Sequence, residues 1–457
     1  MKRALLLASL TGLSACNMAP HYVRPAPPVP ASFPAGPAYA PAAATEKPGL
    51  PWTALIADQR LRTVIDRALA NNRDLRAALA NVQSARAQYR VQRAAQLPAV
   101  TGAAAASFSR QDDSRQNSYS ADIGFSAFEL DLFGRVKNLS RAALETYLAT
   151  EEGARATRIT LIAETATAYA TLAADQQLLA LSRQTLASAE RSLSLTRSLN
   201  QAGLVGKLDV HQAETTVEQA RSDIAANTTQ VAQDRNALDL LAGAPVEDAL
   251  LPQSLDALTG SIAKVPAGLS SDILLQRPDV LQAEHQLKAA NADIGAARAA
   301  MFPKISLTAA IGVASSALSS LFTGGGFAWS AAPSASMPIF GGAARGNLDY
   351  SKAQRDLTLA QYEKAIQTAF QEVSDALARE GTIDDQQAAQ QRLVVASQRS
   401  YALADERYRA GIDTFLNSLT SQRSLYNAQQ SAIATELALV RNRILLYRVI
   451  GADFANG

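Results

Sequence analysis

Few side chains in this sequence are placed to do covalent chemistry. There is one cysteine, Cys16, so no disulfide framework and no cysteine-based metal cluster can form within the chain. His21, His211 and His285 lie far apart and make no metal-ligand spacing. Gly206-Lys207 looks like the end of a phosphate loop, but no glycine stands five places before Gly206, and Leu208 replaces the hydroxyl such a loop needs. The carboxylates fall mostly on helical stretches among basic residues, as on a solvated face, and spacing suggests no Ser–His–Asp set or paired-carboxylate cleft. No enzyme, metal or cofactor is expected. The formal net charge of +2 implies no nucleic acid or other polyanion as partner.

The exception is Cys16. Lys2 and Arg3 precede the apolar run Ala4 to Leu10, a secretory signal pattern that ends in Leu13-Ser14-Ala15-Cys16. That ending resembles a bacterial lipobox, in which residues 1–15 are removed and the cysteine receives a diacylglyceryl group. The plainer alternative is ordinary signal cleavage that leaves a thiol. Acyl chains contribute about 0.8 kcal/mol per buried methylene, so several together hold firmly to a membrane. Asn17 stands where an aspartate would resemble the signal for inner-membrane retention, which favours the outer membrane. Residues 16–53 follow as an extended segment; ten of the eighteen prolines lie between Pro20 and Pro51, and the segment is either a bare linker or a strap along the body.

The rest of the chain is built from long helices. Leu416, Leu419, Arg423, Tyr426, Gln430, Ile433, Leu437, Val440, Ile444 and Tyr447 alternate in steps of three and four, a heptad seam for a partner helix. Val210, Val217, Ile224, Val231 and Leu238 repeat every seven residues in the first half. Landmarks recur in one order: Asp74-Leu75 with Asp279-Val280, and Leu97-Pro98 with Phe302-Pro303, at an offset of 205 (279 − 74 and 303 − 98). Leu132-Phe133-Gly134 with Ile339-Phe340-Gly341, and Ala202-Gly203 with Ala410-Gly411, continue the series. This divides the chain into a first repeat (54–245), a linker (246–271), a second repeat (272–451) and a tail (452–457). Aromatics at 6% suit close helix packing better than a large globular core. A continuous helix from Gly134 to Gly203 would extend about 100 Å.

Beyond the N-terminus no apolar run reaches the roughly 20 residues a membrane-crossing helix needs. Each half does hold two alternating stretches. Ile305, Leu307, Ala309, Ile311 and Val313 oppose Ser306, Thr308, Ala310, Gly312 and Ala314; Tyr119, Ala121, Ile123, Phe125 and Ala127 oppose Ser120, Asp122, Gly124 and Ser126. Ala99 to Arg110 and Phe327 to Ile339 are their partners, with Gln111 to Ser118 and Ser315 to Gly326 as connections. Such alternation fits a transmembrane barrel, and four strands cannot close one alone. The would-be lipid faces carry no charge, which speaks against a soluble sheet.

Taken together, the lone Cys16, Tyr22-Arg24-Pro25, the paired repeats, Leu275-Gln276-Arg277-Pro278-Asp279, Phe302-Pro303, Tyr408-Arg409-Ala410-Gly411 and Leu425-Tyr426-Asn427-Ala428-Gln429 resemble TolC-like outer-membrane efflux proteins of the lipoprotein NodT-type branch. The resemblance implies a mixed α and β fold. It implies a homotrimer in which each chain gives four strands to a twelve-stranded outer-membrane barrel and long coiled helices to a periplasmic α-barrel. It further implies a periplasmic adaptor and an inner-membrane pump of the resistance–nodulation–division type as partners, with the channel itself a passive duct. By position, the resemblance puts a constriction at Leu416, Asn417, Thr420 and Arg423. Relatives often carry aspartate at the positions of Asn417 and Thr420, and this chain does not. An inter-coil link, read as a carboxylate–phenol hydrogen bond, falls on Asp209 and Tyr408. The plainer readings are solvated helix for Asn417 and Thr420, an exposed ion pair for Arg423, and a helix N-cap after Gly206 for Asp209. Two other functions fit in outline: a lipid-anchored periplasmic coiled-coil scaffold without a pore, and the exit duct of a type I secretion system.

Overall fold

The computed structural model describes residues 17–39, 51–111, 114–264, 270–323 and 326–451. Cys16, the signal segment and the tail lie outside the described residues. In chain order the elements are α1 (Trp52–Leu55), α2 (Gln59–Asn71), α3 (Arg73–Ala94), β1 (Thr101–Gln111), β2 (Ser114–Leu130), α4 (Arg135–Gln201), α5 (Lys207–Ala242), α6 (Leu255–Ser261), α7 (Pro278–Ala299), β3 (Lys304–Ser315), β4 (Gly326–Ser336), α8 (Ala343–Arg409) and α9 (Phe415–Ile450). The duplication appears in the helix lengths: α3 and α7 have 22 residues each, α4 and α8 have 67, and α5 and α9 have 36. No described helix is long and apolar enough to cross a membrane.

The four strands form one antiparallel sheet in the order β1-β2-β3-β4. Its register sorts side chains by chemistry. Ile123 pairs with Ile311, which pairs with Trp329, and Ala121 pairs with Val313, which pairs with Phe327. On the other face Asp122, Gly312 and Ala328 form a row, and Ser306 pairs with Ser334. The β1–β2 ladder continues to Gln111↔Ser114, so most of the polar stretch read as a connection is strand. Ladder hydrogen bonds form regardless of side-chain polarity, and a polar strand end is stable where water reaches it.

Strict alternation along β2 would place Ala127 and then Glu129 among the apolar residues. A β-bulge between Phe125 and Phe128 prevents this. Ala127 has φ 51°, in the left-handed region, and its N–H donates to Thr308 Oγ1 at 3.0 Å. The extra residue moves Ala127 off the face it was expected to share with Phe125. It also brings Phe128 opposite Leu307 and Glu129 opposite Ser306. Glu129 is thereby free to form the ion pairs with Arg135 (2.6 Å) and Lys304 (3.3 Å).

The chain divides into two compact units. The first comprises residues 17–27, 79–153 and 281–365, and holds the sheet. Phe133 stacks on Phe302 at 4.8 Å, closing the strand–helix junction. Residues 17–27 form a strap, which resolves the choice left open above for this part. Arg24 donates to both oxygens of Glu284 (3.0 and 2.6 Å), Tyr22 adds a third bond at 3.2 Å, and Lys288 sits 5.5 Å over the Tyr22 ring. Burial pushes the Glu284 carboxyl up, but bonds from Arg24 and Lys288 outweigh it and hold the group below the usual range.

The second unit takes the remaining described residues. Its strap portion stacks Phe33 on Phe370 at 5.1 Å. The described part of the linker between repeats, 246–264 and 270–271, is folded rather than loose. In α6, Leu255 and Leu258 are buried, and Ala263 N–H bonds Leu55 O at 2.9 Å, tying the linker to α1. The heptad seams hold for Val217, Leu238, Leu419, Ile433, Val440, Ile444 and Tyr447, all buried. Leu416 is 54% exposed, and Arg423 is exposed too. Phe415, four residues before Leu419, takes the buried place at the start of the stripe, so Leu416 points away from it.

Candidate gate and helix links

The site is built where α4 turns into α5 and α8 turns into α9. Both turns use one device. Gly203 and Gly411 have φ of 74° and 70°, a region glycine enters without a Cβ clash. Gly203 N–H bonds Asn200 O and Leu204 N–H bonds Leu199 O; Gly411 N–H bonds Tyr408 O and Ile412 N–H bonds Arg407 O. These are paired Schellman closures, which satisfy the last carbonyls of each long helix.

On α9, Leu416, Asn417, Thr420 and Arg423 lie on one exposed face, while Phe415, Ser418, Leu419 and Gln422 are buried on the other. The four gate candidates are therefore brought together. Asn417 does not stand apart from acid: its Nδ2 donates to Asp413 Oδ1 at 2.6 Å. The Asp413 carboxylate also accepts Thr414 N–H at 2.8 Å and faces Arg407 at 3.3 Å. The Thr414 backbone, the Asn417 amide and Arg407 hold its pKa below the ordinary range. Asp413 was missed because it precedes the helix, where a search by helical position does not look.

Tyr408 is buried and its hydroxyl pairs with Thr196 Oγ1 on α4 at 3.0 Å. Asp209 acts on it only through charge: burial, then the Asp209 and Asp405 carboxylates, push the phenol up. Asp209 is not the N-cap either. Gly206 caps α5, and Asp209 lies in the first turn, where a negative charge suits the helix dipole. A carboxylate–phenol bond does exist, about four turns away along α5. Tyr426 on α9 donates to Asp223 Oδ2 on α5 at 2.8 Å and lies 3.1 Å from Ser182 Oγ on α4. Tyr401 and Ser188 make a further hydroxyl pair at 3.0 Å. Three tyrosines of the second repeat thus bond Ser182, Ser188 and Thr196 along α4. The seven-residue step from Tyr401 to Tyr408 was a usable signal. Arg423 Nη2 reaches Thr215 Oγ1 at 3.4 Å and, with Asp223, Tyr426 and Gln219, lines a cavity of about 470 Å³. Among the described residues no group of three or more His, Cys, Asp or Glu could hold a metal.

This geometry has close counterparts. The chain is 46% identical over 468 aligned residues to the probable efflux pump outer membrane protein TtgC of Pseudomonas putida, across 99% of this chain and 96% of that one. A crystal structure of a membrane protein from Pseudomonas aeruginosa matches with a TM-score of 0.89 at 41% identity, over 95% of this chain and all of that one. The open state of the Neisseria gonorrhoeae MtrE outer membrane channel matches with a TM-score of 0.87 at 35% identity, over 96% of this chain and 98% of that one. The sequence model described as outer membrane efflux protein matches residues 64–244 and 269–452, most of the sequence. The chain belongs to the outer membrane efflux protein family.

Proposed function

We propose that the chain is the outer-membrane duct of a tripartite efflux pump, carrying small molecules from a periplasmic adaptor and an inner-membrane pump to the exterior. The observation that carries this is the sheet: an apolar face without charge from Tyr119 to Phe125 and from Ile305 to Val313, a small and polar face, and two unpaired edges, β1 and β4. Unpaired edges cannot persist in lipid, so identical copies must supply the missing partners, and three give twelve strands. Exposed apolar residues support the same assembly. Phe133 is covered by Phe302, whereas its repeat counterpart Phe340, beside Ile339, is fully exposed in a single chain. The pump is of the resistance–nodulation–division type in this reading. The duct is passive: it needs no cofactor and no catalytic residue. The coil-only scaffold gives no use for the apolar sheet face, and the relative's name speaks for efflux over type I secretion.

Four finer assignments belong to the same reading. The repeats at 54–245 and 272–451 are the functional halves, joined by the linker 246–271. Leu416, Asn417, Thr420 and Arg423 line the periplasmic constriction, with Asp413 supplying charge beside Asn417. Asp209 tunes Tyr408, which links α8 to α4. Cys16 carries the lipid anchor, and Cys16→Ser abolishes acyl labelling if so.

The test is purification of the full chain from outer membranes. A detergent-solubilised trimer with heat-modifiable mobility that conducts ions in planar bilayers is the expected result. A monomer that stays soluble without detergent after delipidation overturns the reading.

A further inference from the structure

Asp234, on α5, is 9% exposed and stands one turn before the completely buried Leu238. Its Oδ1 accepts the Gln230 amide at 2.9 Å. Its Oδ2 is closed off from solvent, and no hydrogen-bond donor among the described residues reaches it as a fixed N–H or O–H. The side chain it meets is Asp175 on α4. Two charged carboxylates in contact, that of Asp234 buried and that of Asp175 half-buried, repel each other, and Asp234 Oδ2 lacks a donor. A single proton removes both difficulties: it neutralises one carboxyl and supplies the missing O–H.

We propose that Asp175 and Asp234 form a proton-binding site that clasps α4 to α5, with the proton carried by Asp175 and donated to Asp234 Oδ2. Release gives the Asp175 carboxylate and a proton passed to water, and it leaves two like charges between the helices. Water can take up that proton because Asp175 is itself partly exposed, and its partner Asp234 lines a cavity of about 530 Å³ between α4, α5 and α9. The charged groups facing the pair are few. Arg441 on α9, bonded to Thr171 Oγ1 at 2.9 Å, and Arg448 on α9 line the same cavity, as does Glu164 on α4. On α5, Arg235 is turned to Asp248 at 2.5 Å, and Asp239 accepts Val246 N–H at 2.7 Å.

Burial, then the bond to Asp234 and its charge, push the Asp175 carboxyl up from the ordinary range to about 7, against the opposing pull of Arg441. The sign follows. An acid whose folded pKa is raised binds more protons folded than unfolded across the window from about 4 to about 7. Stability therefore falls as pH rises through that window, and the loss is complete above it. The α4–α5 clasp is tightest in acid and loosens in alkaline surroundings.

Infrared spectroscopy of the full-length protein in detergent tests this through the C=O stretch of a protonated carboxyl. A Glu436→Gln background is used, because that second carboxyl also titrates near neutrality. The expected result is a band lost with a midpoint near pH 7 and absent in Asp175→Asn. Asp234→Asn shifts the midpoint towards acid by about one unit or more, and Arg441→Gln shifts it towards alkali. Hydrogen exchange at α4 and α5 amides, taken as the ratio of this parent to Asp175→Asn at each pH, should be near one at about pH 5 and rise several-fold at about pH 8.5. A band that survives Asp175→Asn overturns the site. If Asp175→Asn does not fold, a midpoint unmoved by both Asp234→Asn and Arg441→Gln overturns it equally.

Discussion

Arg277 Nη1 donates to the backbone carbonyl of Val449 at 2.7 Å, tying the residue just before α7 to the last turn of α9. In the first repeat, Asn72 Nδ2 donates to Leu241 O at 3.1 Å, tying the residue just before α3 to the last turn of α5. The two bonds are counterparts in the duplication and end at the same place, beside Gly243 and Gly451, both in the left-handed region with φ of 70° and 71°. A Cβ at Gly243 would stand 2.7 Å from Asn71 O, so no side chain fits there. One topology is thus pinned twice by different chemistry.

That difference sets unequal costs. The Arg277 side chain is 7% exposed and also bonds Asp279 and Glu372, each at 2.7 Å. Arg277→Ala strands the Val449 carbonyl and loosens two carboxylates, and should destabilise the second unit by about 3–5 kcal/mol. Asn72→Ala loses the α3 cap, which accepts from Asp74 N–H and Leu75 N–H, as well as the Leu241 bond, for about 2 kcal/mol. Denaturant titration of the detergent-solubilised protein, followed by circular dichroism, should rank the two in that order.

Inserting one alanine after Ala127 adds a residue beyond the bulge and shifts the rest of β2 by one place. Glu129 then turns to the apolar face and loses Arg135 and Lys304. The expected outcome is loss of the heat-modifiable species from outer-membrane fractions. Alanine substitution of Glu129, which leaves the register alone, should spare it. Equal effects of the two changes would count against register as the cause.

Tyr426→Phe removes one hydroxyl from Asp223 and Ser182 without changing shape. The bond to the carboxylate is worth about 1.5–3 kcal/mol, so hydrogen exchange in α9 near Tyr426 should accelerate about tenfold or more. If α9 narrows the duct, single-channel conductance in planar bilayers rises as well. Tyr401→Phe, which gives up a bond to neutral Ser188, should have the smaller effect.

Glu436 on α9 is 8% exposed, and its Oε1 accepts Thr259 Oγ1 of α6 at 2.8 Å. Burial, then the Asp256 carboxylate, push its pKa to about 7. The folded value lies above the unfolded one, so stability falls as pH rises from about 4.5 to about 7, by at most about 3 kcal/mol. Limited proteolysis of the linker should speed up across that range in the wild type. Glu436→Gln, which cannot ionise, should flatten that part of the profile.

Much of this architecture is legible in the residues alone. A helical or strand period is written along a few consecutive residues, so the seven-residue step from Val217 to Leu238 and the alternation from Ile305 to Val313 read directly. Gly203 and Gly411 mark their turns because a left-handed C-cap favours glycine wherever it occurs. The tertiary structure decided what local pattern cannot carry. Thr196, not Asp209, meets Tyr408; Asp223 meets Tyr426; Asp234 meets Asp175. Each pair joins separate helices, and its meeting depends on the axial register of one long helix against another. A bulge at Ala127 is of the same kind: a single extra residue is invisible to composition, yet it reverses the faces of every residue after it.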